Sequence, residues 1–282
     1  MSGYSELAAA DAYCRLLARR HYENFTVASR LLPAELRLDM ARFYAYCRFT
    51  DDLGDESGDR ARPRLERWWD EVRDLFAGGE PVHPVLVALA DTVRRHGLPE
   101  RPFLDLVEAN LRDQEVTAYA TWPDLLGYCA VSAAPVGRVV LRLFGVADRE
   151  ADRLSDDVCV GLQLANFAQD VGGDAARGRT YLLAPEVERL GAAGAVHVHC
   201  ERARRLLASG EELEAMVSGR LRLQLSLYRL GGLAILDAIE RAGFETAEAR
   251  PRVSAWSRAA LLARAAATTW MGGRRVGSVG TA

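Results

Sequence analysis

The sequence predicts an all-α fold, a single-domain bundle of long helices that encloses a central cavity. Apolar residues recur three and four positions apart along most of the 282-residue chain, which is the spacing of one buried helix face. No segment shows the alternation of apolar and polar residues that is typical of a half-buried strand. Several predicted helices also carry a polar stripe, and a bundle with polar groups turned inward encloses a cavity.

The predicted helices follow one another with short connections. They cover residues 5–20, 34–53, 62–77, 83–96, 99–119, 122–144, 148–172, 196–217, 219–243 and 253–270. Pro33 separates the first two, Gly97 is a C-cap, and Pro135 interrupts the pattern over 122–144. We therefore expect one domain over residues 1–271 and a disordered tail, rich in Gly, Ser and Arg, over 272–282.

The composition excludes several classes of function. The formal net charge is −3, without the basic stripe of a nucleic-acid-binding surface. All 36 basic residues are arginine, which excludes a Schiff-base or Walker-type lysine and leaves Arg to bind phosphate groups. The five cysteines form no CxxC motif, as is typical of free thiols in a reducing compartment. With no signal peptide and no 18-residue apolar run, we expect a cytoplasmic protein, with peripheral membrane contact as a further possibility and no evident protein partner.

Two segments each place a pair of aspartates on one helix face. In the first, Asp51 and Asp55 are four residues apart, and Tyr44 and Arg48 lie on the preceding turns. Four acids fall within six residues here, and their mutual repulsion costs more when they are desolvated. Such a cluster is favourable when cations neutralise it.

The second segment repeats this arrangement. Asp170 and Asp174 are four residues apart, with Gln163 and Asn166 on the preceding turns. Mg²⁺ prefers oxygen ligands and is usually bound by a few carboxylates together with substrate phosphates. Two carboxylate pairs facing each other across a cavity would hold Mg²⁺ against a diphosphate. The alternative, two solvated acidic helix ends, explains one segment alone better than it explains both.

In this order, the segments resemble the squalene/phytoene synthase family of class I isoprenoid synthases. The resemblance runs along nearly the whole chain and is carried by residues 21–33, 44–56, 128 with 133–137, 163–174 and 178–182. Within the family, the sequence is most similar to hydroxysqualene synthases of hopanoid biosynthesis. It therefore implies an isoprenoid-synthase-like bundle around an active-site cavity.

The resemblance also implies roles for the residues that match the family's motifs. The implied Mg²⁺ ligands are Asp51, Asp55, Asn166, Asp170 and Asp174. The implied diphosphate-binding residues are His21, Arg48, Arg179 and Tyr181, and the residues implied near the reacting carbons are Tyr44, Tyr128 and Gln163. For His21 a structural role is an equal alternative.

An isoprenyl cation also needs aromatic ring faces around it. The candidates are Phe25, Tyr44, Phe49, Tyr128 and Phe167. Ordinary core packing is the better interpretation of Phe49 and Phe167. Tyr44 and Tyr128 carry hydroxyl groups that need a partner when buried, and both interpretations stay open for them.

Two positions depart from the family pattern. The general family has Arg before the first aspartate of the second segment, whereas this chain has Gln169, a departure shared with the hydroxysqualene synthases. Gly173 stands where the family often has Glu, and each Gly of the pair 172–173 weakens a helix by about 1 kcal/mol relative to Ala. The geometry of Asp174 is therefore less firmly predicted than that of Asp51. If Gln169 only flanks the site, Gln169→Arg should be tolerated.

The resemblance implies alternative reactions that share the metal and diphosphate residues. The preferred one converts presqualene diphosphate and water to hydroxysqualene without a reductant. A second transfers a dimethylallyl or longer prenyl group from its diphosphate to an aromatic acceptor. A third couples two isoprenyl diphosphates, such as farnesyl diphosphate, head to head. A non-catalytic helical scaffold is disfavoured because all four aspartates and Arg48 are present.

Overall fold

The structure, a computed structural model, describes residues 2–21, 32–254 and Ala265. Within the first range, it describes side chains for residues 6–19 alone. The side chain of His21, Phe25, the tail over 272–282 and most of the predicted helix over 253–270 lie outside the described residues.

The described residues form eleven α-helices and no β-strand, which confirms the all-α prediction. In chain order the helices are α1 (Ser2–His21), α2 (Ala34–Asp55), α3 (Ala61–Phe76), α4 (Pro84–His96), α5 (Arg101–Arg112), α6 (Trp122–Ser132), α7 (Ala134–Leu143), α8 (Arg149–Gln169), α9 (Val171–Ala176), α10 (Ala184–Met216) and α11 (Gly219–Arg241).

Local signals account for two of the helix boundaries. Gly97 has a φ of 59° and ends α4 as a left-handed C-cap, a conformation that costs glycine little. The predicted interruption near Pro135 is also present, since α6 ends at Ser132 and α7 begins at Ala134. Pro135 lies in the first turn of α7, where its missing N–H costs no hydrogen bond.

Two predicted boundaries are wrong. The helix predicted over 99–119 ends at Arg112, because the chain beyond it extends and pairs with a distant loop. Ala118 forms a parallel bridge with Thr180, and the Thr180 N–H donates to the Thr117 carbonyl at 2.8 Å. The helix predicted over 196–217 begins at Ala184 and is kinked at Gly191, whose φ of 73° breaks the periodic pattern that the prediction followed.

The chain divides into two compact units. The first comprises residues 1–116 and 131–147, and the second comprises residues 117–130 and 148–282. The predicted single domain over 1–271 and its central cavity stay predictions.

In the first unit, α2 packs against α1, α3, α4, α5 and α7. Its Tyr46 is fully buried, stacks on Trp68 of α3 and donates its hydroxyl to the Phe103 carbonyl of α5 at 2.8 Å. The Trp68 indole donates to Thr50 at 3.0 Å. The polar atoms of these aromatic side chains therefore have partners, and burying their rings stabilises the unit.

A buried arginine ties three helices of the first unit together. Arg42 of α2 is 2% exposed and donates to Asp11 of α1 at 2.7 Å and to Asp91 of α4 at 2.7 Å. Next to it, burial alone would raise the pKa of Asp39, but hydrogen bonds from Arg95, His96 and Thr92 outweigh burial and lower that pKa. These charges are fully paired, which is the condition under which buried charges are tolerated.

In the second unit, α10 packs along α8, and α11 packs on both. The close approach of α8 and α10 depends on a glycine, because a Cβ at Gly161 of α8 would lie 3.1 Å from the Ala203 carbonyl oxygen of α10. Glu214 of α10 is 4% exposed and accepts hydrogen bonds from Ser226 and Arg229 of α11, at 2.5 and 2.6 Å. A buried ion pair thus joins α10 and α11.

One part of the chain is apolar enough to be compared with a membrane span. The stretch Trp122–Leu143 contains an 18-residue window with a mean hydropathy of 1.3, so the expected absence of such a run is wrong. That window is 61% buried within the protein and is interrupted at Ala133. Both properties are those of core helices.

We predict that Arg42→Met destabilises the protein by about 3 kcal/mol, because it leaves the carboxylates of Asp11 and Asp91 without their buried partner. Urea denaturation followed by circular dichroism measures the change. Arg37→Met, at an exposed position of the same helix, is the matched control and should stay within about 0.5 kcal/mol of the wild type. Equal stabilities for the two variants would contradict a stabilising role for this network.

Candidate active site

The first carboxylate pair, Asp51 and Asp55, lies in the last turns of α2. A second helix reaches it: the side-chain amide of Asn110 in α5 donates to Asp51 Oδ1 at 3.1 Å. Gly54 leaves the space for this contact, because a Cβ there would lie 2.7 Å from Asn110 Oδ1. Gln114 Nε2 donates to the Asn110 carbonyl at 3.1 Å and so holds the end of α5 in place.

The surroundings of Asp51 disfavour the charged form of its carboxyl group. Its side chain is exposed to solvent, yet protein atoms surround the carboxylate closely enough to desolvate it. This burial raises the pKa of Asp51 to about 6, and the charge of Asp55 adds to the rise against the opposing hydrogen bond from Asn110. The acids also lie at the C-terminal end of a helix, where the helix dipole is negative. A bound cation would remove this penalty.

Arg48 lies one turn before the first carboxylate pair and retains hydrogen-bonding capacity. Its Nη2 lies 2.5 Å from Asp52 Oδ1 and 3.7 Å from Glu56 Oε1. Its Nε is buried and has no hydrogen-bond partner among the residues that the structure describes. A buried donor of this kind is costly unless an acceptor arrives, which fits binding of an anion. Tyr44, another turn back, is half-buried, and burial raises the pKa of its hydroxyl.

The second carboxylate pair, Asp170 and Asp174, lies where α8 gives way to α9. The helix breaks at Asp170, but the Asp174 N–H still donates to the Asp170 carbonyl at 2.9 Å. Arg177 Nη2 lies 2.6 Å from Asp174 and 3.8 Å from Asp170, so both carboxylates point to the same side. A Cβ at Gly173 would lie 2.5 Å from Asp170 Oδ1. Gly173 therefore leaves room for the Asp170 carboxylate.

Three amide side chains accompany this pair on α8. Gln163 is half-buried and Asn166 is exposed, and they lie seven and four residues before Asp170, on successive turns. Gln169 does more than flank the site, which the sequence left as one possibility. It is 8% exposed, and its Nε2 donates to the carbonyl of Pro251 at 2.6 Å. Gln169→Arg would therefore have to replace a buried hydrogen bond.

The loop after α9 carries the predicted diphosphate-binding residues Arg179 and Tyr181. The Arg179 N–H donates to the Asp174 carbonyl at 3.0 Å, which keeps this residue beside the second carboxylate pair. The fully buried His199 of α10 lies with its Nε2 3.1 Å from the Tyr181 carbonyl oxygen. Burial lowers the pKa of His199. Because a carbonyl oxygen can only accept, the His199 ring donates this hydrogen bond and fixes the loop.

An aromatic cluster surrounds the predicted catalytic residue Tyr128 within the second unit. Tyr181 stacks on Phe167 with ring centroids 3.9 Å apart, and on Tyr128 at 5.5 Å. Tyr119, which the sequence analysis did not single out, lies 5.5 Å from Tyr128. All four rings are less than 9% exposed, so Phe167 packs in the core as expected. Phe49, in the first unit, packs on Trp68 and His83 in the same way.

The two carboxylate pairs have the chemistry of a Mg²⁺ site. Across the described residues, no three His, Cys, Asp or Glu side chains lie close enough together to hold a metal ion. Mg²⁺ needs only one or two carboxylates from a protein, and takes water and phosphate oxygens for the rest. The raised pKa of Asp51 fits a site that is completed by a cation. The Arg48 Nε, which has no acceptor among the described residues, fits a site that also receives an anion.

The sequence analysis missed three residues that contact the predicted Mg²⁺ ligands: Asn110, Arg177 and Arg250. Asn110 lies 59 residues from Asp51 in the sequence, and Arg250 lies 84 residues from Asn166. Only Arg177, three residues after Asp174, carried a local signal, since helical spacing brings i and i+3 together.

We predict that Asp51→Asn raises the melting temperature of the metal-free protein at pH 7. A carboxyl group whose folded pKa is raised from 3.8 to about 6 lowers stability as the pH rises from about 4 to 6, and Asn removes that penalty. Because solvent reaches the side chain, we expect a gain of only about 1 kcal/mol, or about 2–4 °C. Differential scanning fluorimetry in EDTA measures it. Asp59→Asn, at an exposed turn, should leave the melting temperature unchanged, and a fall for Asp51→Asn would contradict the assignment.

We predict that Gly54→Ala lowers the rate of diphosphate release about tenfold, because its Cβ displaces the Asn110 amide from Asp51 and removes a hydrogen bond to a charged group. The matched control is Gly231→Ala, in the interior of α11, where a Cβ meets no atom within 4 Å. Both variants should fold, since Gly→Ala favours helix. Equal rates for the two variants would show that Asn110 does not position Asp51.

Comparison with known proteins assigns the family. The squalene/phytoene synthase family model matches residues 18–257. A phytoene synthase of Arthrospira platensis is 28% identical over 284 aligned residues, covering 88% of this chain and 90% of its own. A hydroxysqualene synthase of Zymomonas mobilis is 33% identical, covering 80% of this chain and 74% of its own.

A solved structure agrees in fold. The crystal structure of squalene synthase HpnC from Alicyclobacillus acidocaldarius superposes with a TM-score of 0.80 and 43% sequence identity, covering 85% of this chain and 96% of its own. The match confirms the isoprenoid-synthase-like fold that the motifs implied. The chain therefore belongs to the squalene/phytoene synthase family and is an enzyme of isoprenoid biosynthesis.

Proposed function

We propose that this enzyme is a hydroxysqualene synthase, which converts presqualene diphosphate and water to hydroxysqualene and diphosphate. The observation that carries the proposal is the 33% identity to a hydroxysqualene synthase over 80% of the chain. The 43% identity to a protein named squalene synthase HpnC supports a squalene-synthase-like reaction. Gln169, which the sequence analysis associates with this branch, is consistent with it.

The substrate's diphosphate needs cationic and hydrogen-bonding groups. In the first unit, Arg48 offers a buried Nε for which the described part of the chain supplies no acceptor. In the second unit, Arg179 is fixed beside Asp174 by its backbone hydrogen bond. The groups that would hold Mg²⁺ are Asp51 and Asp55 in one unit, and Asn166, Asp170 and Asp174 in the other. When bound, Mg²⁺ supplies Lewis-acid stabilisation of the charge on the leaving group.

The reaction balances without a reductant. The C–O bond to the diphosphate breaks, and its electron pair leaves with the diphosphate. The resulting carbocation rearranges by opening the cyclopropane ring, and a water oxygen then bonds to the cationic carbon. The water proton is released to the diphosphate or to solvent. Aromatic ring faces stabilise the cation by about 0.5–2 kcal/mol per contact, a role we propose for Tyr128 and Tyr181.

Head-to-head coupling of two isoprenyl diphosphates is the second candidate. It is favoured by the relatives named phytoene synthase, of which the Arthrospira platensis protein covers 88% of this chain. That reaction would use the same carboxylates and arginines, and would differ in the shape of the apolar surface that holds the second substrate.

The purified enzyme should release diphosphate from presqualene diphosphate in the presence of Mg²⁺, and the lipid product should be a C30 alcohol. Pyrophosphate detection and mass spectrometry measure the two products. Farnesyl, geranylgeranyl and dimethylallyl diphosphates, the last with aromatic acceptors, are tested in parallel. A C30 or C40 coupling product from farnesyl or geranylgeranyl diphosphate would establish the second candidate, and a prenylated acceptor would overturn both.

The same assay tests the metal ligands. Asp170→Asn should lower diphosphate release by about a hundredfold or more, because it removes charge where the leaving group is stabilised. Chelation of Mg²⁺ should abolish turnover of every substrate. The folded state of the variant is checked by circular dichroism, and Asp59→Asn is the charge-matched control. Full activity of Asp170→Asn, or turnover in EDTA, would contradict the metal assignment.

A further inference from the structure

A buried histidine of the second unit faces the loop that carries Tyr181. His199 of α10 is fully buried, and its Nε2 lies 3.1 Å from the Tyr181 carbonyl oxygen. The carbonyl oxygen can only accept a hydrogen bond, so Nε2 carries a proton and donates it. Burial lowers the pKa of the imidazole, which therefore stays neutral at pH 7. The core of the unit thus offers one fixed donor to the backbone of this loop.

A charged pair lies beside the other nitrogen of the His199 ring. Glu186, in the first turn of α10, accepts two hydrogen bonds from Arg202, at 2.6 and 2.9 Å. Its Oε2 lies 3.9 Å from His199 Nδ1. The Arg202 guanidinium lies over the ring of Trp122, with Cζ 4.5 Å from the ring centroid, in a cation–π contact. Because Trp122 begins α6, this row of side chains joins α6 to α10 and limits where the imidazole can turn.

The residue whose backbone His199 holds is also part of the aromatic cluster. The Tyr181 ring stacks on Phe167 with centroids 3.9 Å apart and planes at 7°, and lies 5.5 Å from the Tyr128 ring with planes at 25°. Rings packed this closely in a protein interior have little room to move independently. A displacement of the Tyr181 backbone therefore moves its ring relative to Tyr128, the other ring that we propose to face the carbocation.

The loop is attached on both sides of this residue by bonds that do not involve His199. The Thr180 N–H donates to the Thr117 carbonyl at 2.8 Å. The Ala184 N–H donates to the Tyr119 carbonyl at 3.3 Å. These backbone bonds keep the loop in place if His199 is replaced. The hydrogen bond from His199 therefore acts on the one residue that it holds, and not on whether the loop folds.

We propose that His199 is a positioning residue for the reaction, and that its hydrogen bond to the Tyr181 carbonyl holds the Tyr181 ring where it faces the carbocation. This inference rests on the proposed function, since it needs the cation that forms when the C–O bond to the diphosphate breaks. In this role His199 touches no reacting atom and transfers no proton. A ring displaced by about 1 Å stabilises the cation less, and a misplacement of this size can lower a rate about a hundredfold.

Two substitutions at the same position test the inference. The amide Nε2 of Gln can lie close to the place of the imidazole Nε2, so His199→Gln keeps a donor, whereas His199→Leu fills the space without one. His199→Leu should lower kcat for diphosphate release about tenfold or more, and His199→Gln should stay within about threefold of the wild type. Steady-state kinetics of the full chain measure both. A wild-type kcat in His199→Leu, or equal losses in the two variants, would overturn the role of His199.

The composition of the product distinguishes positioning from a purely structural role. A loss of folded enzyme lowers total turnover but leaves the product ratio unchanged. A displaced ring changes where the cation is stabilised, so His199→Leu should form a larger share of alkenes, in which the cation loses a proton to the diphosphate or to solvent. His199→Gln should restore the alcohol. An unchanged ratio, with a fall in turnover that matches the folded fraction measured by circular dichroism, would show that His199 is only structural.

Near-ultraviolet circular dichroism of the ligand-free proteins separates this inference from the proposed function. It reports the packing of aromatic rings without any substrate, so His199→Leu should change the spectrum and His199→Gln should preserve it. An unchanged spectrum in His199→Leu would overturn the positioning role even if the wild type forms hydroxysqualene. If the wild type instead couples farnesyl diphosphate, the proposed function fails, and the kcat values of the two variants for that coupling decide the role of His199.

Discussion

The candidate site depends on one constraint, the repulsion within each of two carboxylate pairs that lie where a helix ends. Asp51 and Asp55 lie in the last turn of α2, and Asp170 is the C-cap of α8, so all three add negative charge where the helix dipole is already negative. Each neighbourhood offsets part of this cost with its own groups, Asn110 in the first unit and Arg177 in the second. The electrostatic repulsion that remains favours binding of a cation at these carboxylates.

The ion pairs of this protein fall into two physical types. Arg42 and Arg229 are at most 10% exposed on their side chains and reach carboxylates at 2.6–2.7 Å, so they hold helices in one arrangement. Arg177 and Arg250 are each 50% exposed and reach Asp170 only at 3.8 and 3.7 Å. Buried pairs are costly to break, whereas exposed pairs contribute little and exchange readily. The two long contacts to Asp170 are therefore the ones that can exchange partners at low cost.

The sequence was sufficient for features that are local along a helix. Periodicity predicted the helices, and the four-residue spacing placed Asp170 and Asp174 on one side. It was insufficient wherever a distant segment decides the structure. The end of α5 depends on pairing with Thr180, and the role of Asn110 depends on its distance from a residue 59 positions away. The glycines 172 and 173 predicted a weakened helix, whereas they leave room for Ala247 and for the Asp170 carboxylate.

The chain between Phe244 and Pro251 is anchored at both ends. At its start, Phe244 adopts a φ of 63°, rare for a residue with a side chain, and its ring stacks on His197 at 4.5 Å. At its other end, Pro251 is bound to Gln169. Chain length between these anchors decides which side chain meets Asn166. Loss or gain of one residue there would put a neighbouring residue in the place of Arg250 without altering any residue of the two carboxylate segments.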